Sequence, residues 1–225
     1  MVLALESLST PLFSPDDSGD ILQCLQDDGL SWLDGRLTAG SQAAEVKRNR
    51  QLDPSLDASQ RIIQLVRDQI CQNPLIKSWA LVRSVHSLIV SRSDVGDGYG
   101  WHVDNPFSKA GRRDLSFTLF LSNLDSYAGG SLDIQSSQDA SSFRLPQGHV
   151  LVYPSSALHR VAPVTTGSRF VCVGWIESYV QSVEDRLLLF NLDAAARGLL
   201  AKHGRSQEVD LLFQVYSNAL RRLSV

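Results

Sequence analysis

Cysteine is scarce in this chain: three residues in 225, odd in number and with no Cys-x-x-Cys spacing. That usage excludes a disulfide framework or a thiolate zinc site as the organising device and suggests a reducing, cytoplasmic setting. Long apolar runs are missing as well. No stretch reaches the ~18 residues that cross a bilayer, and the opening Met1-Val-Leu-Ala-Leu-Glu6 lacks the positive flank and extended apolar core of a secretory signal. An excess of basic charge is also absent, with 21 Lys and Arg against 24 Asp and Glu and a net charge of −3. The pairs Arg112-Arg113 and Arg221-Arg222 are too short to make a polyanion-binding face, so neither a nucleic-acid nor a membrane partner is expected. There is no internal repeat and no low-complexity linker. What is present, 43% hydrophobic residues, suffices for one substantial core.

The pattern changes twice along the chain. Asp16-Asp17-Ser18 offers caps for a helix carrying Ile21, Leu22 and Leu25 and ending near Gly29. A second helix is expected from about Leu56 to Cys71, with Ile62, Ile63, Val66 and Ile70 on one face and Asn73-Pro74 as its stop. Between them, Trp32 to Leu52 is a polar, Gly-containing stretch whose pattern does not decide between helix and strand. From Trp79 to Ser178 short apolar runs alternate with Gly, Asn, Asp, Ser and Pro clusters, as in a barrel or sandwich of short strands. Leu115, Phe117, Leu119 and Leu121 alternate there with Ser116, Thr118 and Ser122, giving one apolar and one mixed face. Helical spacing returns after Ser178, in a Leu187-rich helix ending near Gly204 and in a stripe of Val209, Leu212, Phe213, Tyr216, Leu220 and Leu223. The expected organisation is a helical and strand region at 1–78 integral to the fold, a β core at 79–178 and a helical extension at 179–225. The tail stripe is expected to pack on its own chain, and a homodimer through the tail helices is a second use for it.

The chemistry concentrates in Tyr99-Gly-Trp-His102-Val-Asp104, completed downstream by His159 and Arg169. A lone His-x-Asp carries little weight, since chance supplies about 0.4 such pairs in a chain of this composition. Singly, each residue also has a plain reading: a turn pair at Asp104-Asn-Pro106, a solvent-facing His159, a salt-bridging strand end at Arg169. Together and in this order they point elsewhere. Two imidazoles and one carboxylate on one face of Fe(II) leave adjacent positions open for a chelating co-substrate and O2. His102 and Asp104 point the same way on a strand or its end, because side chains alternate. His159 then has to arrive on a distant strand brought alongside. Arg169 opens the apolar run Phe170-Val-Cys-Val-Gly-Trp-Ile176, where a guanidinium can hold the far carboxylate of 2-oxoglutarate bidentately. Along that run Arg169, Val171, Val173 and Trp175 share a face. His86, His149 and His203 have no spaced partner and are expected to be structural.

Beyond these residues the chain resembles the PKHD-type hydroxylases, relatives of prolyl hydroxylases among the Fe(II)/2-oxoglutarate dioxygenases. The likeness runs through Trp32-x-Asp34-Gly-Arg36-x-Thr38-Ala-Gly40-x-Gln42, Val46-Lys47-x-Asn49-x-Gln51-Leu52 and Tyr99-Gly-x-His102-Val-Asp104-Asn. It continues through Arg113-Asp-Leu-Ser-x-Thr-Leu-Phe-Leu-Ser122, Leu151-x-Tyr153-Pro-Ser-Ser-x-Leu-His159-Arg-Val-x-Pro-Val164, Trp175-Ile-x-Ser178 and Arg186-Leu-Leu-x-Phe190-x-Leu-Asp193. The resemblance implies an α+β fold, a double-stranded β-helix or jelly roll with helices around it. It implies iron on His102, Asp104 and His159, 2-oxoglutarate on Arg169, Tyr99 beside the co-substrate, and stimulation by L-ascorbate. Two positions depart from the family pattern: Arg92-Ser93 stands where relatives often carry a tyrosine, and Ser131 where they often carry an acidic residue.

The activity so implied is hydroxylation of an unactivated C–H bond, with O2 consumed and succinate and CO2 released. The substrate is expected to be an amino-acid side chain of the prolyl or lysyl kind, in a peptide, protein or small molecule. Asp104 favours hydroxylation over halogenation, because iron halogenases give up that carboxylate for a halide. A nucleic-acid demethylase would carry a second arginine soon after Arg169 and a basic, aromatic lid, which this chain lacks. The rival from another class is a non-catalytic iron or 2-oxoglutarate sensor that acts through a protein partner in iron homeostasis. Lys47 and Asn49 either face the active site or only fix local structure, and the second is the expectation.

Overall fold

The computed structural model describes residues 7–38, 45–135 and 140–225. Its frame is two antiparallel sheets. The larger has seven strands in the order β1 (Leu8–Pro11), β13 (His149–Pro154), β9 (Leu115–Phe120), β16 (Arg169–Ser178), β5 (Val82–Ser93), β4 (Arg50–Leu52) and β2 (Trp32–Asp34). The smaller has five, in the order β12 (Ala140–Phe143), β11 (Leu132–Gln135), β14 (His159–Val161), β6 (Gly98–His102) and β3 (Lys47–Arg48). Two short ribbons, β7 (Phe107–Ser108) with β8 (Gly111–Arg112) and β10 (Tyr127–Gly129) with β15 (Val164–Gly167), complete the jelly roll.

The large sheet is covered on both faces, so its central strands are buried throughout. In β9 all six residues are buried: Leu115, Phe117 and Leu119 join the core on the helical side, whereas Phe120 joins the core between the sheets. The mixed face expected for this strand therefore looks inward, and Ser116 and Thr118 line a cavity. That inner core holds Leu132 and Ile134 of the small sheet against Leu151, Tyr153 and Val171 of the large one.

Helices close the outer face of the large sheet. In α1 (Pro15–Leu25) the cap is Ser14, whose Oγ accepts the Asp17 N–H, rather than the expected Asp16-Asp17-Ser18. Pro15 suits the first helical position because it has no N–H to satisfy. Ser18 is buried and donates to the carbonyls of Ser14 and Pro15, and the helix ends at Leu25, short of Gly29. In α2 (Asp57–Gln72) Ile62, Val66 and Ile70, spaced by four, are buried against the sheet. Asn73 ends it and also caps α3 (Pro74–Ala80), its Oδ1 accepting the N–H groups of Leu75 and Ile76. The tail is an antiparallel pair, α4 (Val183–His203), stopped by Gly204 at φ 78°, and α5 (Gln207–Leu223). Tyr216, Leu220 and Leu223 of the tail stripe pack on Leu81, Val180 and Leu189, so this part of the stripe is spent within the chain.

Trp32 to Leu52 contributes strands, a short 3-10 turn at Gly35–Thr38 and the connection between the two sheets. Ala39, Gly40 and Gln42 of the motif there lie outside the described residues. Gly174 allows the tightest approach in the sheet: a Cβ built on it would stand 2.6 Å from Phe117 Cζ and 3.0 Å from Leu88 Cγ. Gly174→Ala is expected to cost about 1–3 kcal/mol through overpacking. The readout is the urea midpoint, with an unchanged m-value separating lost stability from a changed unfolded state.

Candidate active site

The two histidines meet because their strands pair. His102 ends β6, His159 opens β14, and the two residues face each other in the antiparallel register with ring centroids 4.2 Å apart. Asp104 follows two residues after His102, beyond the strand end. Its carboxylate lies 4.0 Å from His102 Nε2 and 3.9 Å from His159 Nε2. Among the described residues these three form the group whose ligand atoms all lie within 4.8 Å of one another.

Each imidazole is held in one tautomer. His102 Nδ1 lies 2.8 Å from the Gly100 carbonyl and His159 Nδ1 2.9 Å from the Ala157 carbonyl. A carbonyl only accepts, so Nδ1 carries the hydrogen and the Nε2 lone pairs turn toward Asp104. Asp104 is fixed from its other side: Oδ2 accepts from Ser116 Oγ at 2.6 Å and from Trp175 Nε1 at 2.9 Å. Ser155 in turn donates to Ser116. Tyr99 stacks on His102 at 3.6 Å and 20°, and burial pushes its phenol up to about 12.

Burial, with His159 alongside, pushes the His102 imidazole down to about 4. A histidine held neutral in the fold but free to protonate at about 6.5 when unfolded makes the unfolded chain bind more protons between those values. Its contribution to stability is thus complete above about pH 6.5 and is lost as the pH falls toward 4. The unfolding free energy of the metal-free protein, read from urea titrations, is expected to drop between pH 7 and 4.5 by on the order of 2–3 kcal/mol. His102→Gln should remove most of that drop. Carboxylates interfere little, because their unfolded values lie near 4.

Arg169 occupies the other end of the cavity. It opens β16 opposite Ser93 of β5, is 3% exposed, and its guanidinium lies 5.4 Å above the Phe120 ring. Burial pulls its pKa below the usual arginine value, an effect partly offset by the phenol oxygens of Tyr127 and Tyr153. Tyr127 hydrogen-bonds the guanidinium, yet Nε and Nη2 are buried with no hydrogen-bond partner among the described residues. Gly130, at φ +63°, leaves room for the side chain, since a Cβ there would stand 2.8 Å from Arg169 Cδ. Ser93 faces the cavity, whereas Arg92 turns outward to Asp94 and the face of Phe170. The Arg92-Ser93 departure therefore leaves a small hydroxyl on the wall beside Arg169. Ser131 donates to the buried Asp133, which also holds Ser142 and Arg160, so this second departure serves the small sheet.

One cavity of about 670 Å3 joins both ends, lined by Tyr99, His102, Asp104, His159, Arg169 and the inner faces of both sheets. Val171, Val173 and Trp175 line it with Arg169, as their alternation along β16 implies. The structure adds residues that sequence reasoning did not single out. Ser116 and Trp175 hold Asp104, and their positions on alternating strand faces were the available signal. Tyr127 and Tyr153 flank Arg169 with no local signal. Arg113 stacks 4.0 Å over the Trp175 ring. Lys47 and Asn49, expected to be local fixtures, are on the cavity wall. His86 is buried and bonded to the Arg112 carbonyl at 2.8 Å, in keeping with a structural role.

Comparison with known proteins agrees with this geometry. Residues 88–177 match the 2OG-Fe(II) oxygenase superfamily model, and residues 184–224 match the PKHD-type hydroxylase C-terminal domain. A PKHD-type hydroxylase of Synechococcus sp. (strain CC9902) is 59% identical over 98% of this chain and 99% of its own length. One of Prochlorococcus marinus (strain MIT 9313) is 53% identical over 97% and 99%. Among solved structures, a Pseudomonas putida prolyl-4-hydroxylase superposes with a TM-score of 0.52 at 19% identity, over 77% of this chain and 92% of that one. A Trichoplax adhaerens prolyl hydroxylase bound to a peptide fragment gives 0.56 at 16%, over 83% and 87%. At such identities the solved structures establish the fold, whereas the sequence relatives establish the family. With two imidazoles and a carboxylate at one end of a jelly-roll cavity and a buried arginine at the other, the chain belongs to the PKHD-type hydroxylases of the 2OG-Fe(II) oxygenase superfamily.

Proposed function

We propose that this protein is a working Fe(II)- and 2-oxoglutarate-dependent hydroxylase, with His102, Asp104 and His159 as the iron ligands and Arg169 as the anchor of the 5-carboxylate. Tyr99 is the cavity wall beside the co-substrate. The donor set fits the metal, since two Nε2 lone pairs and one carboxylate converge while their outer atoms are already bonded to protein. The observation that carries the reading is Arg169: a buried guanidinium in the same cavity as that cluster, with two nitrogens that find no partner among the described residues. Buried charge is tolerated when paired, and a dicarboxylate supplies the pair.

When bound, iron with 2-oxoglutarate and O2 supplies the oxidising power to hydroxylate an unactivated C–H bond, with succinate and CO2 as co-products. The chain's own residues do the positioning. Arg169 sets the depth of the co-substrate, Ser116 and Trp175 hold the Asp104 carboxylate, and Val171 and Val173 keep the intervening wall apolar. The substrate we assign is an amino-acid side chain of the prolyl or lysyl kind, in a peptide, protein or small molecule, with ascorbate as a stimulant. Residues 79–178 carry the chemistry, braced by 1–78 and 179–225, in a cytoplasmic enzyme. No helix among the described residues is long and apolar enough to cross a membrane.

The test is succinate formation from 2-oxoglutarate by anaerobically iron-loaded protein on exposure to O2, with and without fractionated cell extract. Iron-dependent succinate that rises with one fraction is the expected result. Its complete absence at verified iron occupancy and with ascorbate present would favour a non-catalytic sensor acting through a partner.

A further inference from the structure

The segment Lys47-Arg-Asn49-Arg-Gln51 alternates in a way that neither the metal cluster nor Arg169 requires. Arg48 and Arg50 are exposed, whereas Lys47 and Gln51 are buried and Asn49 is half-buried. All three of the inward residues are polar, and all three line the cavity. Their location is set by topology. Lys47 pairs with Tyr99 in the small sheet, and four residues later Gln51 pairs with Ser91 in the large one. The segment thus crosses from one sheet to the other and forms a side wall of the cavity.

Each inward residue presents chemistry to that space. The Lys47 ammonium lies 5.1 Å from the centroid of the Tyr99 ring, which itself stacks on His102. Asn49 Nδ2 donates to Ser91 Oγ at 2.6 Å, and Asn49 Oδ1 is buried with no hydrogen-bond partner among the described residues. Oδ1 lies against Gly35, where an added Cβ would meet it, so the Asn49 amide borders the cavity beside Ser91. The charged side chains among the described lining residues are Lys47, Arg113, Arg169 and Asp104. Iron at +2 and 2-oxoglutarate at −2 cancel, so the loaded cavity keeps an excess of positive charge. Buried polar and charged walls of this kind are stable when a complementary ligand fills them.

We propose that Lys47, Asn49 and Gln51 form the substrate-recognition wall and that the substrate presents a carboxylate to Lys47, with a neighbouring polar group for Asn49. The carboxylate belongs to a free amino acid, to a chain terminus or to an acidic side chain. This inference rests on the hydroxylase reading and names the substrate chemistry of the same site. It assigns a role to the 47–51 motif that the iron and co-substrate residues leave unexplained.

The test uses the full chain loaded with Mn(II) and N-oxalylglycine, which support no turnover, and reads binding by thermal shift and calorimetry. Saturable stabilisation by N-oxalylglycine first establishes that the co-substrate site operates; without it the hydroxylase reading falls, and this inference with it. Matched probes follow: L-amino acids against their α-carboxamides, tripeptides with free or amidated C-termini, and Asp or Glu tripeptides against their Asn or Gln counterparts. At least one carboxylate probe is expected to bind about tenfold or more tighter than its amide. Which series responds tells a free amino acid from a chain terminus or an acidic side chain. Lys47→Met should collapse that ratio to about twofold or less, and Lys47→Arg should recover part of it. Equal binding of acid and amide forms by the wild-type protein, an undiminished ratio in Lys47→Met, or no binding of any probe to the loaded protein would overturn the proposal.

Discussion

Asp104→Asn is expected to lower succinate formation by roughly 1,000-fold or more, corresponding to several kcal/mol of lost metal-centred stabilisation. The amide keeps an oxygen to accept the hydrogen bonds from Ser116 and Trp175, so the fold should tolerate it. What it cannot supply is negative charge between the two Nε2 atoms. Iron stoichiometry at saturating Fe(II), the urea midpoint and succinate yield separate these effects. Asp104→Ala differs usefully, because it also strands the indole N–H of half-buried Trp175 and a buried hydroxyl and should cost about 1–3 kcal/mol of metal-free stability. An Asn variant that keeps a full complement of iron and more than about a tenth of the activity would remove Asp104 from the ligand set.

Arg169→Met should move two observables in opposite directions. In the metal-free protein the guanidinium is buried with two unpartnered N–H groups, and replacing a buried ion with an apolar side chain of similar length is commonly neutral or stabilising by about 1–4 kcal/mol. The urea midpoint is therefore expected to hold or rise. The apparent 2-oxoglutarate requirement should rise by on the order of 100-fold, because removing one partner of a desolvated charge pair costs about 2–5 kcal/mol. Iron binding at the far end of the cavity should persist. A 2-oxoglutarate requirement within about twofold of wild type would mean that the dicarboxylate is anchored elsewhere. A large loss of metal-free stability would mean that Arg169 holds the sheet rather than waits for a ligand.

How much of this could be read beforehand differs from element to element. The helices at Asp57–Gln72 and Gln207–Leu223 were legible because a one-sided apolar stripe is a local property. β9 was half legible: its alternation appeared in the sequence, but nothing local says that its serine and threonine face looks into a cavity rather than toward water. The first cap was misplaced by a short distance because Ser14, Asp16, Asp17 and Ser18 all have capping chemistry, and only the packing of Ser18 decides among them. Trp32 to Leu52 resisted assignment for a different reason. Its strands are two or three residues long, and β3 and β4 turn Lys47 and Gln51 inward because that side lines a cavity, so the usual contrast between a dry and a wet face is absent there.

The sequence by itself pointed to the family and to its candidate site atoms, because two histidines, an aspartate and an arginine in one order within a β-rich segment meet few other chemical needs. It also determined four of the five helices among the described residues, since propensity, caps and stripes act over a few residues; Pro74–Ala80, beyond the expected stop at Asn73-Pro74, was not among them. Tertiary structure decided the rest. Pairing of β6 with β14 places His102 opposite His159, and β5, β9 and β16 together place Arg169 across the cavity, its Nε and Nη2 without a partner among the described residues. It put Ser116 and Trp175 on Asp104, and it turned Lys47, Asn49 and Gln51 inward at the crossing between sheets. These are contacts between residues far apart in the chain, and their geometry follows from strand register and sheet closure, which no local pattern encodes.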